Sequence, residues 1–300
     1  MKDKWEASAF LFACPLCGKQ MKVTKSSLVC QENHCYDISK RGYINFVQKT
    51  SVKIYNAELF EHRRLVYNSG FYDELMERMD LLVSAHACSR KECTVVDSGC
   101  GEGTFLTKLS SRISGNKIGF DISKDAILQA CKSTKEILWL VADLVNIPLK
   151  DNCADVLFNI FTPANYNSFH RILKEDGILI KVIPGIEYLQ EFRKAVGTKL
   201  KSHRDDEKVI HYLSQYMEIV EKKRVYYKVR VNREQLRSWI KMTPMMVNVS
   251  ADEEILSSIK EVTIDVSICV CKKRSEIATA TGFTGKSPSS YLTPSEMRVQ

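Results

Sequence analysis

Apolar runs without internal alternation recur through the middle of this 300-residue chain, and stretches with apolar residues three and four apart lie between them. The runs are "CTVVDS" (93–98), "KIGFDIS" (117–123), "ILWLVADL" (137–144), "CADVLFNIF" (153–161) and "DGILIKVIP" (176–184). Each has the length of a strand, and continuous hydrophobicity is what a strand covered on both faces requires. "NYNSFHRIL" (165–173), "EYLQEFRKAV" (187–196) and "REQLRSWIKM" (233–242) read as helices. Alternating strand and helix predicts an α/β fold, a parallel-dominated Rossmann-like sheet with helices on both faces. "EIVEKKRVYYKVRV" (218–231) and "VTIDVSICVCKK" (262–273) predict a late antiparallel strand pair, the first strand long and exposed. No internal repeat is present.

The first run opens onto glycines. Residues 93–109, "CTVVDSGCGEGTFLTKL", read as strand, glycine-rich turn and helix, with Asp97, Gly99, Gly101 and Gly103 spelling D-x-G-x-G-x-G. Glycines let the backbone turn tightly and come close to a ligand. The second strand ends at Asp121, where such folds hold the two hydroxyls of a ribose. The third ends at Asp143, placed near an adenine. A dinucleotide wants G-x-G-x-x-G, which leaves room for a pyrophosphate. Here Asp97 and Glu102 flank the turn instead. Two acids disfavour phosphate and favour the cationic amino-acid end of S-adenosylmethionine.

Near the front, "CPLCGKQMKVTKSSLVCQENHC" (14–35) crowds four cysteines and a histidine into 22 residues. Cys14 and Cys17 form C-x2-C, and Cys30 with His34 forms C-x3-H, a set that suits a closed tetrahedral zinc site of structural kind. His34 is the preferred fourth ligand, with the adjacent Cys35 as the alternative. An odd total of 11 cysteines argues against a fully bridged disulfide framework. A module this short needs its metal to fold.

Composition narrows the partners. A 44% hydrophobic content supports a full core, and no stretch approaches the run of apolar residues that a membrane span needs. The apolar run before Cys14 is only roughly eight residues, short for an export signal, and Glu6 lies close in front of it. A cytoplasmic location, where thiols stay reduced, is therefore expected. The net charge of +8 is unevenly spread. Lys222, Lys223, Arg224, Lys228, Arg230, Arg233, Arg237 and Lys241 face only Glu234 over 20 residues, and Tyr226 and Tyr227 interleave them. The front 65 residues are also net basic, whereas residues 95–198 are neutral, with 12 acids against 12 bases. Basic flanks with interleaved aromatics predict an RNA surface.

The motifs taken together resemble the 23S ribosomal RNA (guanine-N1)-methyltransferases. The resemblance runs from about Cys14 to Lys273 and rests on "CPLC…C…H", "SKRGYINFV" (39–47), "RRLVYNSGFYDEL" (63–75), "DSGCGEG" and "MTP" (242–244). It implies a class I methyltransferase sheet with a small N-terminal zinc-binding module, transferring a methyl group from S-adenosylmethionine to N1 of a guanine. The expected substrate is a hairpin loop in domain II of 23S rRNA, and a second copy of the chain is a further expected partner. Some members modify a neighbouring guanine and contribute to macrolide resistance, and "NIFTPAN" resembles that Gram-positive branch. Carried over by position, Tyr72, Gly101 and Glu102 contact the cofactor. Tyr188 stands where relatives carry a histidine, a departure from the pattern. A small-molecule methyltransferase would need neither zinc module nor basic flanks.

The implied domains are 1–45 for the zinc-binding, RNA-recognising module, 46–90 for a helical linker, and 91–274 for the methyltransferase. The tail 275–300 is expected to be disordered, being rich in Ser, Thr, Gly and Pro. Ligands in open α/β sheets bind beyond the strand carboxyl ends, so Asn159, Thr162 and Asn165 are the candidates for positioning guanine. No residue stands out as a general base, and Asp155 is expected to be structural.

Overall fold

The computed structural model describes residues 2–47, 57–86, 92–196, 206–242 and 258–274. In chain order these form α1 (Lys2–Ser8), β1 (Met21–Thr24), β2 (Ser27–Cys30), β3 (Cys35–Asp37), β4 (Tyr43–Asn45), α2 (Ala57–Asn68) and α3 (Asp73–His86). The central part follows with β5 (Val95–Ser98), α4 (Thr104–Ser110), β6 (Lys117–Asp121), α5 (Lys124–Ser133), β7 (Leu138–Val141), β8 (Ala154–Ile160), α6 (Tyr166–Ile172) and β9 (Leu173–Pro184). Last come α7 (Gln190–Val196), α8 (Asp206–Tyr216), β10 (Met217–Arg230), α9 (Arg233–Met242) and β11 (Glu261–Lys273). The tail 275–300 and the Thr-Pro of "MTP" lie outside the described residues.

Eight strands make one sheet in the order β10-β11-β9-β8-β5-β6-β7-β4. From β4 to β9 all neighbours are parallel, and the expected late pair is antiparallel, β11 to β9 and β10 to β11. Strand order reverses at β5: β6 and β7 run out to one side, β8 and β9 to the other. That reversal opens a crevice beyond the carboxyl ends of β5 and β8. β5, β7 and β8 are buried at every position, as their unbroken apolar sequences require. Alternate residues feed two cores. Val95, Trp139 and Phe158 point to one face, while Val96, Leu140 and Leu157 point to the other. No described helix is long and apolar enough to cross a membrane.

The front of the chain packs directly onto the large sheet. β1, β2 and β3 form a small antiparallel sheet of their own. β4, however, pairs in parallel with β7, Tyr43 opposite Trp139, and so becomes the last strand of the large sheet. Trp5, Phe12 and Ile44 are each fully buried in the same core as Phe120 and Leu140. Burying a side chain of that size is worth roughly 2 kcal/mol, so three of them rival a large share of a domain's net stability of about 5–15 kcal/mol. The packing is continuous between the module and the large sheet. The region expected to be a helical linker holds α2 and α3, which place Val66, Leu75 and Met79 in the core, and Tyr72 in the turn between them is buried there too.

Candidate active site and zinc centre

At the zinc centre, the turn of "CPLCG" and the end of β2 converge. One ligand atom each from Cys14, Cys17, Cys30 and His34 lies within 4.8 Å of the others. A tetrahedron with Zn–S about 2.3 Å and Zn–N about 2.0 Å sets sulfur about 3.8 Å from sulfur and about 3.5 Å from nitrogen. The structure has Cys17 Sγ 3.6 Å from Cys30 Sγ, and His34 Nδ1 3.5 Å from Cys14 Sγ and 3.4 Å from Cys30 Sγ. The donor set and its spacing fit zinc. Cys35 is exposed, because the alternation of β3 turns it away from the cluster. The Cys30 thiol is brought down to about 7: burial opposes its ionisation, but backbone N–H groups of His34 and Glu32 and the neighbouring Cys17 and Cys14 thiols outweigh it. The knuckle rests on the loop after β7, where Asn146 Nδ2 donates to the Pro15 carbonyl at 2.8 Å.

The glycine turn lies between β5 and α4. Gly101 sits at φ +56°, and a Cβ there would meet only Arg63 Nη1, at 3.5 Å, so this position opens onto the crevice. The other two glycines are closed in: a Cβ on Gly99 would overlap Thr162, and one on Gly103 would overlap the Trp139 ring. Asp121 closes the turn from the end of β6. Its Oδ2 accepts from Gly101 N at 3.0 Å and its Oδ1 from Ser123 N at 2.8 Å.

Three carboxylates are gathered around this turn. Asp97 is 2% exposed, and burial, reinforced by the charges of Glu102 and Asp121, pushes its pKa up to about 8. Burial likewise raises Glu102 and Asp121, while the Arg63 guanidinium works against the rise in both. Both Glu102 oxygens and the Thr104 hydroxyl are buried with no hydrogen-bond partner among the described residues. A buried carboxylate short of hydrogen bonds is costly, so the site fits a ligand that brings a positive charge and hydrogen-bond donors.

Aromatic rings wall the other side. Tyr72 is fully buried, and its hydroxyl meets the Tyr188 hydroxyl at 2.6 Å. Phe161 stacks on Tyr188, ring centroids 5.3 Å apart at 29°. Tyr67 packs edge-on against Tyr72 at 4.8 Å and against Phe105 at 4.9 Å. Phe161 and Leu189 both hold positive φ, +53° and +57°, at the two loops that meet here. Such strain in bulky residues gathers at functional sites.

Not every expected residue has the expected role. Asn159 is completely buried, and its polar groups are used inside the protein. Nδ2 donates to Ser98 Oγ at 3.1 Å and to the Pro163 carbonyl at 2.9 Å, and Oδ1 accepts from Lys181 Nζ. It therefore braces the loop after β8 rather than reading a guanine edge. Lys181, 5% exposed, also donates to the Thr162 carbonyl at 2.8 Å. Asn165 caps α6, accepting from Ser168 N at 3.0 Å. Asp143 is exposed, and its Oδ1 accepts from Val145 N at 3.0 Å, so its carboxylate organises its own loop. Asp155 is structural, held by Thr94 N and Lys174 Nζ, both at 2.8 Å.

The basic run divides. On β10, Lys222, Arg224, Tyr226, Lys228 and Arg230 share one face by alternation, and Arg224 lies 5.2 Å over the Tyr226 ring. Arg224 is committed to buried Asp265 at 2.7 Å and to Glu187 at 3.2 Å, Lys223 to Glu221 at 2.7 Å, and Lys241 to Glu58 at 3.1 Å. Beyond them an open groove of about 720 Å³ is lined by Lys194, Lys228, Arg230 and Lys260 together with Glu191 and Glu261. Sequence reasoning missed Arg63, Phe161 and Lys181. Only Arg63 carried a signal, its place at the head of "RRLVYNSGFYDEL".

This fold and site define an S-adenosylmethionine-dependent methyltransferase bearing an N-terminal zinc ribbon. Residues 89–239 match the family described as "Methyltransferase domain", and residues 12–51 match the zinc ribbon described as "RlmA, N-terminal". A Bacillus subtilis protein named putative 23S rRNA (guanine-N(1)-)-methyltransferase is 36% identical over 275 residues, 88% of this chain and 97% of that one. The 23S rRNA (guanine(748)-N(1))-methyltransferase of Streptomyces fradiae is 27% identical over 268 residues, 86% and 95% of the two chains. A Micromonospora griseorubida relative with the same kind of name is 25% identical over 251 residues, 77% and 85% of the two. The chain belongs to the 23S rRNA (guanine-N1)-methyltransferase family.

Proposed function

We propose that this protein methylates N1 of a guanine in a hairpin loop of 23S rRNA domain II, in the cytoplasm. The observation that carries this reading is the seating of the zinc knuckle. Through Asn146 and Pro15 it docks on the loop after β7, at the carboxyl-end side of the sheet where the cofactor is proposed to bind. The groove with Lys194, Lys228, Arg230 and Lys260 lies at the far end of the same side, beyond β9 and β11. A folded RNA is a substrate large enough to touch both, and phosphate contacts of this kind position a substrate without reading its sequence.

Asp121 holds the ribose hydroxyls, Glu102 and Asp97 face the amino-acid end, Gly101 makes room for the ligand while Gly99 and Gly103 let Thr162 and Trp139 pack close to the turn, and Tyr72 and Tyr188 wall the methyl side. Bound there, S-adenosylmethionine supplies an already activated methyl group. The protein's task is then to position the acceptor and exclude water. Phe161 offers a stacking face for an unpaired base. The Thr162 and Asn165 side chains border the loop after β8, which Lys181 and Asn159 hold in shape. The N1 proton leaves as the methyl group arrives, and a water molecule accepts it and carries it to solvent.

Mass mapping of 23S rRNA from a deletion strain tests the assignment. One guanine in that hairpin should lose a methyl group, and complementation should restore it. An unchanged methylation map would refute the reading.

A further inference from the structure

We propose that Arg63 binds the carboxylate of the cofactor's methionine moiety and so makes this pocket selective for the intact amino-acid group. The inference rests on the cofactor pocket assigned above. A zwitterion poses a problem for that pocket. Asp97, Glu102 and Asp121 suit an ammonium and ribose hydroxyls, yet the same three acids repel the carboxylate bonded to the same carbon as the ammonium.

Arg63 is placed to resolve it. α2 aims its guanidinium at the open glycine of the cofactor turn, with Nη1 3.5 Å from where a Cβ on Gly101 would sit. Its charge acts on Glu102, on Asp121 and on Tyr67, one helical turn along α2. The stem is fixed as well. The guanidinium carbon lies 5.5 Å over the Phe60 ring, and Phe60 packs with Leu59 against Ala126 of α5. A planar guanidinium can take a carboxylate through two parallel hydrogen bonds, a geometry an ammonium lacks.

The test compares S-adenosylmethionine with its decarboxylated form by calorimetry on the zinc-loaded full chain. The wild type should prefer the intact cofactor by about 10- to 100-fold, the range for a charged hydrogen-bonded pair. Arg63→Gln should weaken S-adenosylmethionine binding and shrink that preference to about threefold or less, while Arg63→Lys retains part of it. A merely structural role would weaken both ligands equally and leave the ratio intact, which overturns the proposal. Tighter binding of S-adenosylmethionine to Arg63→Gln overturns it too, since Arg63 would then compete with the ligand for the acids. Should Arg63→Gln fail to fold, the wild-type preference and Arg63→Lys still decide. Failure of the pocket itself shows differently, as unchanged affinity in Asp121→Ala.

Discussion

Cofactor binding should release protons, and the count is set by the buried acids. Asp97 titrates near 8 in the free protein because burial and the charges of Glu102 and Asp121 disfavour its anion. At pH 7 such a group is about 90% protonated. A cation arriving beside it favours the anion, so the acid ionises on binding and about 0.9 proton leaves, with more if Glu102 takes part. The sign follows from linkage: the free state holds more protons than the complex, so affinity rises with pH below about 8. From pH 6 to pH 7 affinity is expected to rise by up to about tenfold, while the cofactor's own amino group stays mostly charged. Titration calorimetry at pH 7 in two buffers of different ionisation enthalpy reads the proton count directly. Asp97→Asn should remove about 0.9 of it. Zero release by the wild type, or the same release in Asp97→Asn, would refute the reasoning.

Three further outcomes are expected. Asp121→Ala should weaken S-adenosylmethionine binding by about 2 kcal/mol or more, because the ribose loses its acceptor and Gly101 N and Ser123 N lose theirs; calorimetry with unchanged affinity would remove Asp121 from the site. Cys30→Ser should lose its zinc by metal analysis and lower the melting temperature of the whole chain in a single transition, since Phe12 and Ile44 belong to the main core; a separate early transition with the main one unmoved would contradict the shared core. Lys222→Glu with Lys228→Glu should flatten the salt dependence of RNA binding without changing the melt, whereas Arg224→Glu should lower the melting temperature by stranding buried Asp265; equal melting temperatures for the two would show that Asp265 does not need its partner.

Much of this was legible in the residues because the governing interactions are local. The inner strands announce themselves as unbroken apolar runs, since both of their faces are covered. The zinc ligands are spaced by the geometry of two turns, and the cofactor turn by glycines that few other residues can replace. β4 was illegible: three residues, Tyr-Ile-Asn, carry no periodicity, and their partner Trp139 lies in a strand almost a hundred positions away. Asn159 misled for a related reason. A lone amide in an apolar strand looks like a site residue until β8 and β9 are set in register, which places Lys181 directly beside it. Phe161 gave no sign either, because an aromatic residue at the end of an apolar run reads as core, and its left-handed backbone is imposed by the loop around it.

The position of β4 on the sheet has a consequence for how the protein fails. β7, "LWLV", is apolar at every residue and buried along its length. Among the described residues β4 and Phe46 cover its outer edge, and β4 is tied to the metal through the ribbon that precedes it. Withdrawing zinc would therefore uncover a row of unpaired backbone groups on a strongly β-prone segment, the kind of edge that recruits other chains. Metal starvation would be expected to show up first as self-association of the protein and only afterwards as a missing methyl group. The zinc then acts as a guard on solubility as well as a clasp on the fold.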